Sequence, residues 1–237
     1  KKTQEKEIAE DFYMMMMNLD FLPNSPCLMN AGTPLQQLSA CFVLPIKDSI
    51  EEIYDTLKHA MLIQKTAAGT GFNFSHVRSR HSLIQSTKGH ASGPVSFLRV
   101  FNMATEIIKE GGKKRGANMG VLHVDHPDIL EFIHCKDDNM IRNFNVSIAV
   151  TDKFMKAVQE NDNYDVIDPI TKKTAGQQSA RYVFDSLVMS AWQQGDPGIL
   201  FLDRINKNNP LPGEGMLEAT SPCAELPLLD YETCTLG

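Results

Sequence analysis

The sequence predicts an α/β fold with largely parallel strand pairing. Short apolar runs rich in Val, Ile, Leu and Phe recur along the chain, stretches of helical period separate them, and Gly, Pro, Asn and Asp punctuate the joins. Residues 3–18 open as an amphipathic helix, with Ile8, Phe12, Met15 and Met16 at helical spacing. The run Met14-Met15-Met16-Met17 reads as adaptable core filling, because a methionine metal site would need further matched Met or His ligands. A turn-rich link, Pro23-Asn24-Ser25-Pro26-Cys27, leads to a short strand over 41–44 that Pro45 ends. Asp48 and Ser49 are placed to cap a helix reaching about residue 68, and Glu51 and Glu52 fall in its first turn, where the helix dipole favours anions. Gly69-Thr70-Gly71 breaks that helix, and Phe72-Asn73-Phe74 follows as a strand. Residues 76–92 show no period and are predicted as a loop, a length that usually marks function or mobility. Helices over about 94–109, 127–135, from 152 onward and 180–194, and strands over 119–124, 146–150 and 199–202, complete the pattern.

Composition narrows the function classes. A chain of 237 residues with 42% hydrophobic content can bury the core of one large domain or two small ones. A formal net charge of -6 argues against nucleic acid as a partner, so any phosphate site must be local. Five cysteines scattered over the chain suit reduced cytoplasmic thiols better than a secreted disulfide framework. The sequence shows no cationic and apolar leader and no apolar run of bilayer length, so a cytoplasmic protein without a membrane partner is expected. The chain starts at Lys1 and stops shortly after Cys234, which reads as a piece of something longer.

Several motifs admit two readings on their residues alone. Gly111-Gly112-Lys113-Lys114-Arg115-Gly116 can meet an anionic ligand, although it lacks the P-loop spacing; it can equally be a solvated helix-to-strand turn. Asp48 can be a helix cap or can accept ribose hydroxyls. His123 and His126 flank Asp125 but lack a third matched metal ligand, and His126 can cap the next helix. Cys27 and Cys135 read as small buried apolar residues. The separation of Cys223 from Cys234 is too wide for a Cys-x-x-Cys redox or zinc pattern. Glu225 follows Cys223 by two residues, so in an extended segment both side chains point the same way and a base sits beside a thiol.

The order and wording of the whole set resemble one family. Pro23-Asn24-Ser25-Pro26 with Leu28-Met29-Asn30-Ala31-Gly32-Thr33-Pro34 comes first, then Ser39-Ala40-Cys41 and Gly69-Thr70-Gly71-Phe72-Asn73-Phe74-Ser75. The glycine-rich basic loop, Val124-Asp125-His126-Pro127-Asp128-Ile129, Gly195-Asp196-Pro197-Gly198 and Pro222-Cys223-Ala224-Glu225 through to Cys234 follow. Together they resemble the catalytic subunit of ribonucleotide reductases, most closely the adenosylcobalamin-dependent class, over nearly the full chain.

The resemblance implies a ten-stranded α/β barrel of two five-stranded halves. An N-terminal helical segment over 1–24 and, over 25–237, the first half barrel with its helical flanks and the start of a finger loop are then expected. It implies that Cys223 carries a thiyl radical, that Glu225 takes the 3′-hydroxyl proton of a ribonucleotide, and that Cys41 and Cys234 reduce the radical intermediate and end as a disulfide. Ser221 joins this catalytic set; Ser25, Ser39, Ala40 and Gly71 match the substrate site. Asp48, Ser49, Arg78, Lys113 and Arg115 match the place where a deoxynucleoside triphosphate effector binds, across a homodimer. Adenosylcobalamin is the implied cofactor, and a thioredoxin or glutaredoxin-type protein the implied reductant. The chain departs from the family's pattern at Ser221 (usually Asn), Ala224 (usually Gly) and Leu226 (often Gln), and lacks the second half barrel. The large subunit of a diiron or dimanganese reductase, or a deoxynucleotide-binding module without catalysis, are the alternative readings.

Overall fold

The computed structural model describes residues 2–85, 87–110 and 114–237. Along the chain come α1 (Lys2–Met17), α2 (Ser25–Asn30), β1 (Cys41–Leu44), α3 (Ile50–Gln64), β2 (Gly69–Asn73), α4 (Pro94–Ile107), β3 (Lys109–Glu110), β4 (Lys114–Arg115), β5 (Asn118–His123) and α5 (Ile129–Ile133). β6 (Phe144–Val150), α6 (Asp152–Glu160), β7 (Asn163–Ile167), β8 (Thr174–Ser179), α7 (Ala180–Gln194), β9 (Gly198–Phe201), α8 (Leu202–Lys207), β10 (Ala219–Thr220), β11 (Pro227–Leu228) and β12 (Thr233–Cys234) follow. The main sheet runs β12-β1-β2-β5-β6-β9; the strands from β1 to β9 are parallel to their neighbours, and β12 joins the edge antiparallel to β1. Five parallel strands with helical crossovers form the half barrel that the resemblance implies.

Strand alternation divides the two faces of this sheet. Leu44, Phe72, Leu122, Phe144, Val146, Ile148 and Val150 point to the helix side, where they meet Ile53 and Ala60 of α3, Leu98 and Phe101 of α4, and Val183 and Leu187 of α7. Phe72 and Phe101 meet edge to face at 5.0 Å between ring centroids. The opposite face carries a smaller cluster of Val43, Met119, Val121, Ala149 and Leu200 together with Ala219 of β10. On that face lies the hairpin of β10 and β11, and glycine makes room for it. A Cβ at Gly71 would stand 1.8 Å from the Thr220 carbonyl oxygen, and one at Gly69 would stand 2.4 Å from Cγ of Pro222.

Several expectations change. The 23–27 link holds the start of a helix, because the Asn24 side chain accepts the Cys27 N–H at 3.0 Å and Pro26 suits the first turn of α2. Ser49 alone caps α3, accepting from Glu52 N–H at 3.1 Å, while Asp48 is drawn away by Arg78. The methionine run is not core filling: Met14, Met15 and Met17 are exposed and Met16 is half-buried. Helical period identifies an apolar stripe but does not supply the partner that buries it. The antiparallel β7–β8 hairpin and α8 are additions to the sequence reading. Gly111, Gly112 and Lys113 lie outside the described residues.

His126 is buried and serves the loop: its Nε2 faces the Val77 carbonyl at 2.9 Å, and its Nδ1 accepts from Asp128 N–H at 3.0 Å just before α5. Those two contacts require the neutral tautomer protonated at Nε2. Burial also lowers the pKa of His126 and of His123, whose Nε2 has no partner among the described residues.

Two outcomes are expected. Gly71→Ala should lower unfolding stability by about 1–3 kcal/mol in chemical denaturation, because the new methyl group meets backbone rather than a movable side chain. Since the folded state refuses protons that the unfolded histidines accept, stability should fall as pH drops below about 6.5, and the fall should shrink in His126→Asn.

Candidate active site

Cys41 begins β1 and Cys234 ends β12, and the antiparallel register sets them directly opposite each other. Opposed residues in such a pair have Cα atoms about 4.5–5.5 Å apart, inside the span of a disulfide. Both are free thiols joined by a side-chain hydrogen bond. Cys234 is buried and Cys41 half-buried. Burial first, then the negative charge available at Cys234 and Glu225, pushes the Cys41 thiol up to about 12. Burial raises Cys234 as well, against the opposing effect of its bond to Cys41. Both groups are therefore thiols, not thiolates, at neutral pH.

The third thiol arrives on the hairpin. Ala219 pairs with Leu228 and Thr220 with Pro227, and the turn between them closes through Ser221 N–H to Leu226 O at 2.9 Å and Ala224 N–H to Ser221 O at 2.9 Å. Ala224 takes a left-handed φ of 63°, a conformation that suits glycine better than alanine. Asn145, on the hairpin side of β6, donates to the Pro222 carbonyl at 2.8 Å. This leaves Cys223 exposed at the tip, near enough to act electrostatically on Cys41, with Glu225 acting on both Cys41 and Cys234. The hairpin stem is held at Glu218, which accepts from Asn73 at 3.3 Å and meets His76 at 2.8 Å. That contact raises His76 and lowers Glu218 from their ordinary ranges.

Cys41, Cys223, Cys234, Glu225 and Ser221 therefore converge. Ser39 lies beside them, its hydroxyl 3.1 Å from that of Thr233, and the backbone of Ala40 bridges Cys234 O and Gly69 N–H at 2.8 and 2.9 Å. Ser25 is exposed at the start of α2, next to Asn24, whose N–H donates to Leu236 O at 2.9 Å. Gly71 is buried beneath Thr220. Asn145, Asn73 and Glu218 were not singled out from the sequence; the alternation Phe144-Asn145-Val146-Ser147-Ile148-Ala149-Val150 was the available signal, marking a polar and small face opposite an apolar one.

A second locus sits beyond the C-terminal ends of β1 and β2. Asp48 binds Arg78 twice, accepting its backbone N–H at 2.9 Å and its guanidinium at 2.6 Å. With Ser49, Ile53, His90 and Phe97 they line a cavity of about 440 Å³. The backbone of Arg115 lies instead near the N-terminal end of the sheet, where β5 begins beside Thr70. One copy of the chain thus brings Asp48, Ser49 and Arg78 together and leaves Arg115 apart. Lys113 falls outside the described residues.

Comparison with known proteins agrees in kind. The family model for the ribonucleotide reductase barrel domain matches residues 39–237, and that for the ribonucleotide reductase all-alpha domain matches residues 1–36. The vitamin B12-dependent ribonucleoside-diphosphate reductase of Thermoplasma acidophilum is 51% identical over 239 residues, covering 100% of this chain and 31% of its own length. The protein of the same description from Mycobacterium tuberculosis (strain H37Rv) is 48% identical, covering 97% of this chain and 33% of its own. The ribonucleoside-diphosphate reductase large chain of Schizosaccharomyces pombe is 31% identical over 94% of this chain and 31% of its own length. The chain spans about a third of the length of these relatives. With a barrel-domain match over most of its residues and relatives this similar along nearly all of them, the chain belongs to the ribonucleotide reductase family.

Proposed function

We propose that this chain is the thiol-bearing part of a vitamin B12-dependent ribonucleotide reductase, active when joined to the remaining length that its relatives possess. The observation that carries the reading is the cross-strand register of Cys41 and Cys234 beneath a hairpin tip bearing Cys223 and Glu225. The reduction needs two electrons and two protons for each ribonucleotide, which two thiols supply on becoming a disulfide while the 2′-oxygen leaves as water.

The residues divide the work. The Cys223 sulfur, as a thiyl, takes the 3′ hydrogen atom and later returns it. Glu225 accepts the 3′-hydroxyl proton. Cys41 stays protonated at neutral pH and gives a proton to the departing 2′-hydroxyl, and its bond to Cys234 closes once both have given up their hydrogens. A radical thiol has to be kept apart from the reducing pair, since a sulfur already in a disulfide cannot become a thiyl. Adenosylcobalamin, when bound, supplies the radical. What it asks of this chain is open access to the Cys223 thiol, and that thiol is exposed. A thioredoxin or glutaredoxin-type reductant then restores the Cys41 and Cys234 thiols.

The cavity at Asp48 and Arg78 is proposed as one part of a deoxynucleoside triphosphate effector site. Asp48 is suited to ribose hydroxyls and Arg78 to phosphate. Because Arg115 stands at the other end of the sheet within one copy, a site using both needs a second copy, which favours a homodimer.

The full-length protein with added adenosylcobalamin should convert ribonucleoside diphosphates to deoxyribonucleotides, and Glu225→Gln should lower kcat by about 10²–10⁴. Activity that instead needed a separate diiron or dimanganese subunit would sink the cofactor assignment. In alkylation followed by peptide mass spectrometry, Cys41 labelling should still be climbing past about pH 10, where an ordinary thiol of pKa about 8.5 has levelled off. Calorimetry should show dTTP binding to the full-length protein that Asp48→Ala removes.

A further inference from the structure

Ser221 is fully buried, yet it carries a hydroxyl at the root of the catalytic turn. That hydroxyl has one proton, and it is committed: Ser221 Oγ donates to Glu225 Oε2 at 2.5 Å. One oxygen lone pair is also taken, accepting the Leu226 N–H at 3.1 Å. The backbone repeats the tie, with Ser221 N–H donating to Leu226 O at 2.9 Å. Glu225 itself is exposed, on a turn only four residues from Ser221, and an exposed glutamate has several rotamers to lose before it can meet a substrate hydroxyl.

We infer that Ser221 is a positioning residue for Glu225: its buried hydroxyl holds Oε2, fixes the carboxylate rotamer, and leaves Oε1 as the oxygen that receives the substrate proton. The inference rests on the proposed function, in which Glu225 is the base, and gives Ser221 its place in the catalytic set through Glu225 rather than through the substrate. A hydroxyl with no exposed surface and its proton already given to Glu225 is poorly placed to contact a ligand.

The test uses the full-length protein and compares wild type with Ser221→Ala and Ser221→Asn, whose amide restores a donor. Ser221→Ala should lower kcat about tenfold or more with KM little changed. Ser221→Asn should recover most of the rate. Should Ser221→Ala fail to fold, Ser221→Cys keeps the shape while weakening the donor, and the same split between kcat and KM decides. An active wild type whose Ser221→Ala or Ser221→Cys variant keeps its kcat would overturn this inference alone. So would a rise in KM with kcat unmoved, which would make Ser221 a substrate contact. A wild type that reduces no ribonucleotide with adenosylcobalamin would overturn the proposed function along with it.

Discussion

The contact on which the rest of the site depends is the close approach of the Thr220 carbonyl to the bare backbone of Gly71. No side chain could occupy that space, since even a methyl carbon would stand 1.8 Å from the oxygen. Gly69 makes the same allowance for the Pro222 ring. Side chains at these two positions would hold the hairpin away from β2. Because β2 is bare there, the hairpin of β10 and β11 lies against that strand, joins the cluster of Val43, Met119 and Val121 through Ala219, and brings its tip beside Cys41. The left-handed Ala224 costs on the order of 1 kcal/mol relative to glycine, a cost that the two backbone bonds across the turn and the bond from Asn145 help to offset.

That placement gives three chemically similar side chains different environments. Cys41 and Cys234 sit in the seam between the edge strand β12 and its neighbour β1, where burial and neighbouring negative charge hold them as thiols, the form that carries transferable hydrogen. Cys223 stands at an exposed tip, open to solvent and to any reaction partner. At the other end of the hairpin, Glu218 is clamped by His76 and Asn73, so the stem is tied to the end of β2 while the tip lies near its beginning. The Asp48 and Arg78 cavity lies at the start of α3, beyond the C-terminal end of β1, whereas Cys41 stands at the N-terminal end of that strand.

The fold was legible wherever local pattern and tertiary need agreed. β1 matched its apolar run and closing proline, and α7 matched the periodic stretch from Ala180 to its glycine C-cap at Gly195. α2 was hidden because Pro and Asn signal turns as readily as helix starts, and only the Asn24 side chain closing on Cys27 N–H separates the two. β7 was hidden in polar residues, since Asn163 and Asp165 alternate with the buried Tyr164 and Val166 over too short a run to stand out. Asp48 was equally suited by sequence to cap α3, but the Arg78 guanidinium and backbone N–H, thirty residues along the chain, claimed its carboxylate instead.

By itself the sequence determined the alternation of strands and helices, the family, and the identity of the three thiols and their carboxylate neighbour, because these reside in residue type, order and spacing. Tertiary structure decided which of those residues meet. The pairing of Cys41 with Cys234 is a matter of strand register, and register is set by contacts between segments at opposite ends of the chain. The separation of Arg115 from Asp48 is likewise a property of the sheet, since a strand and its crossover helix carry the chain from one end of the barrel wall to the other. The role inferred for Ser221 follows from where its single proton points, which depends on the folded turn rather than on the letter in the sequence.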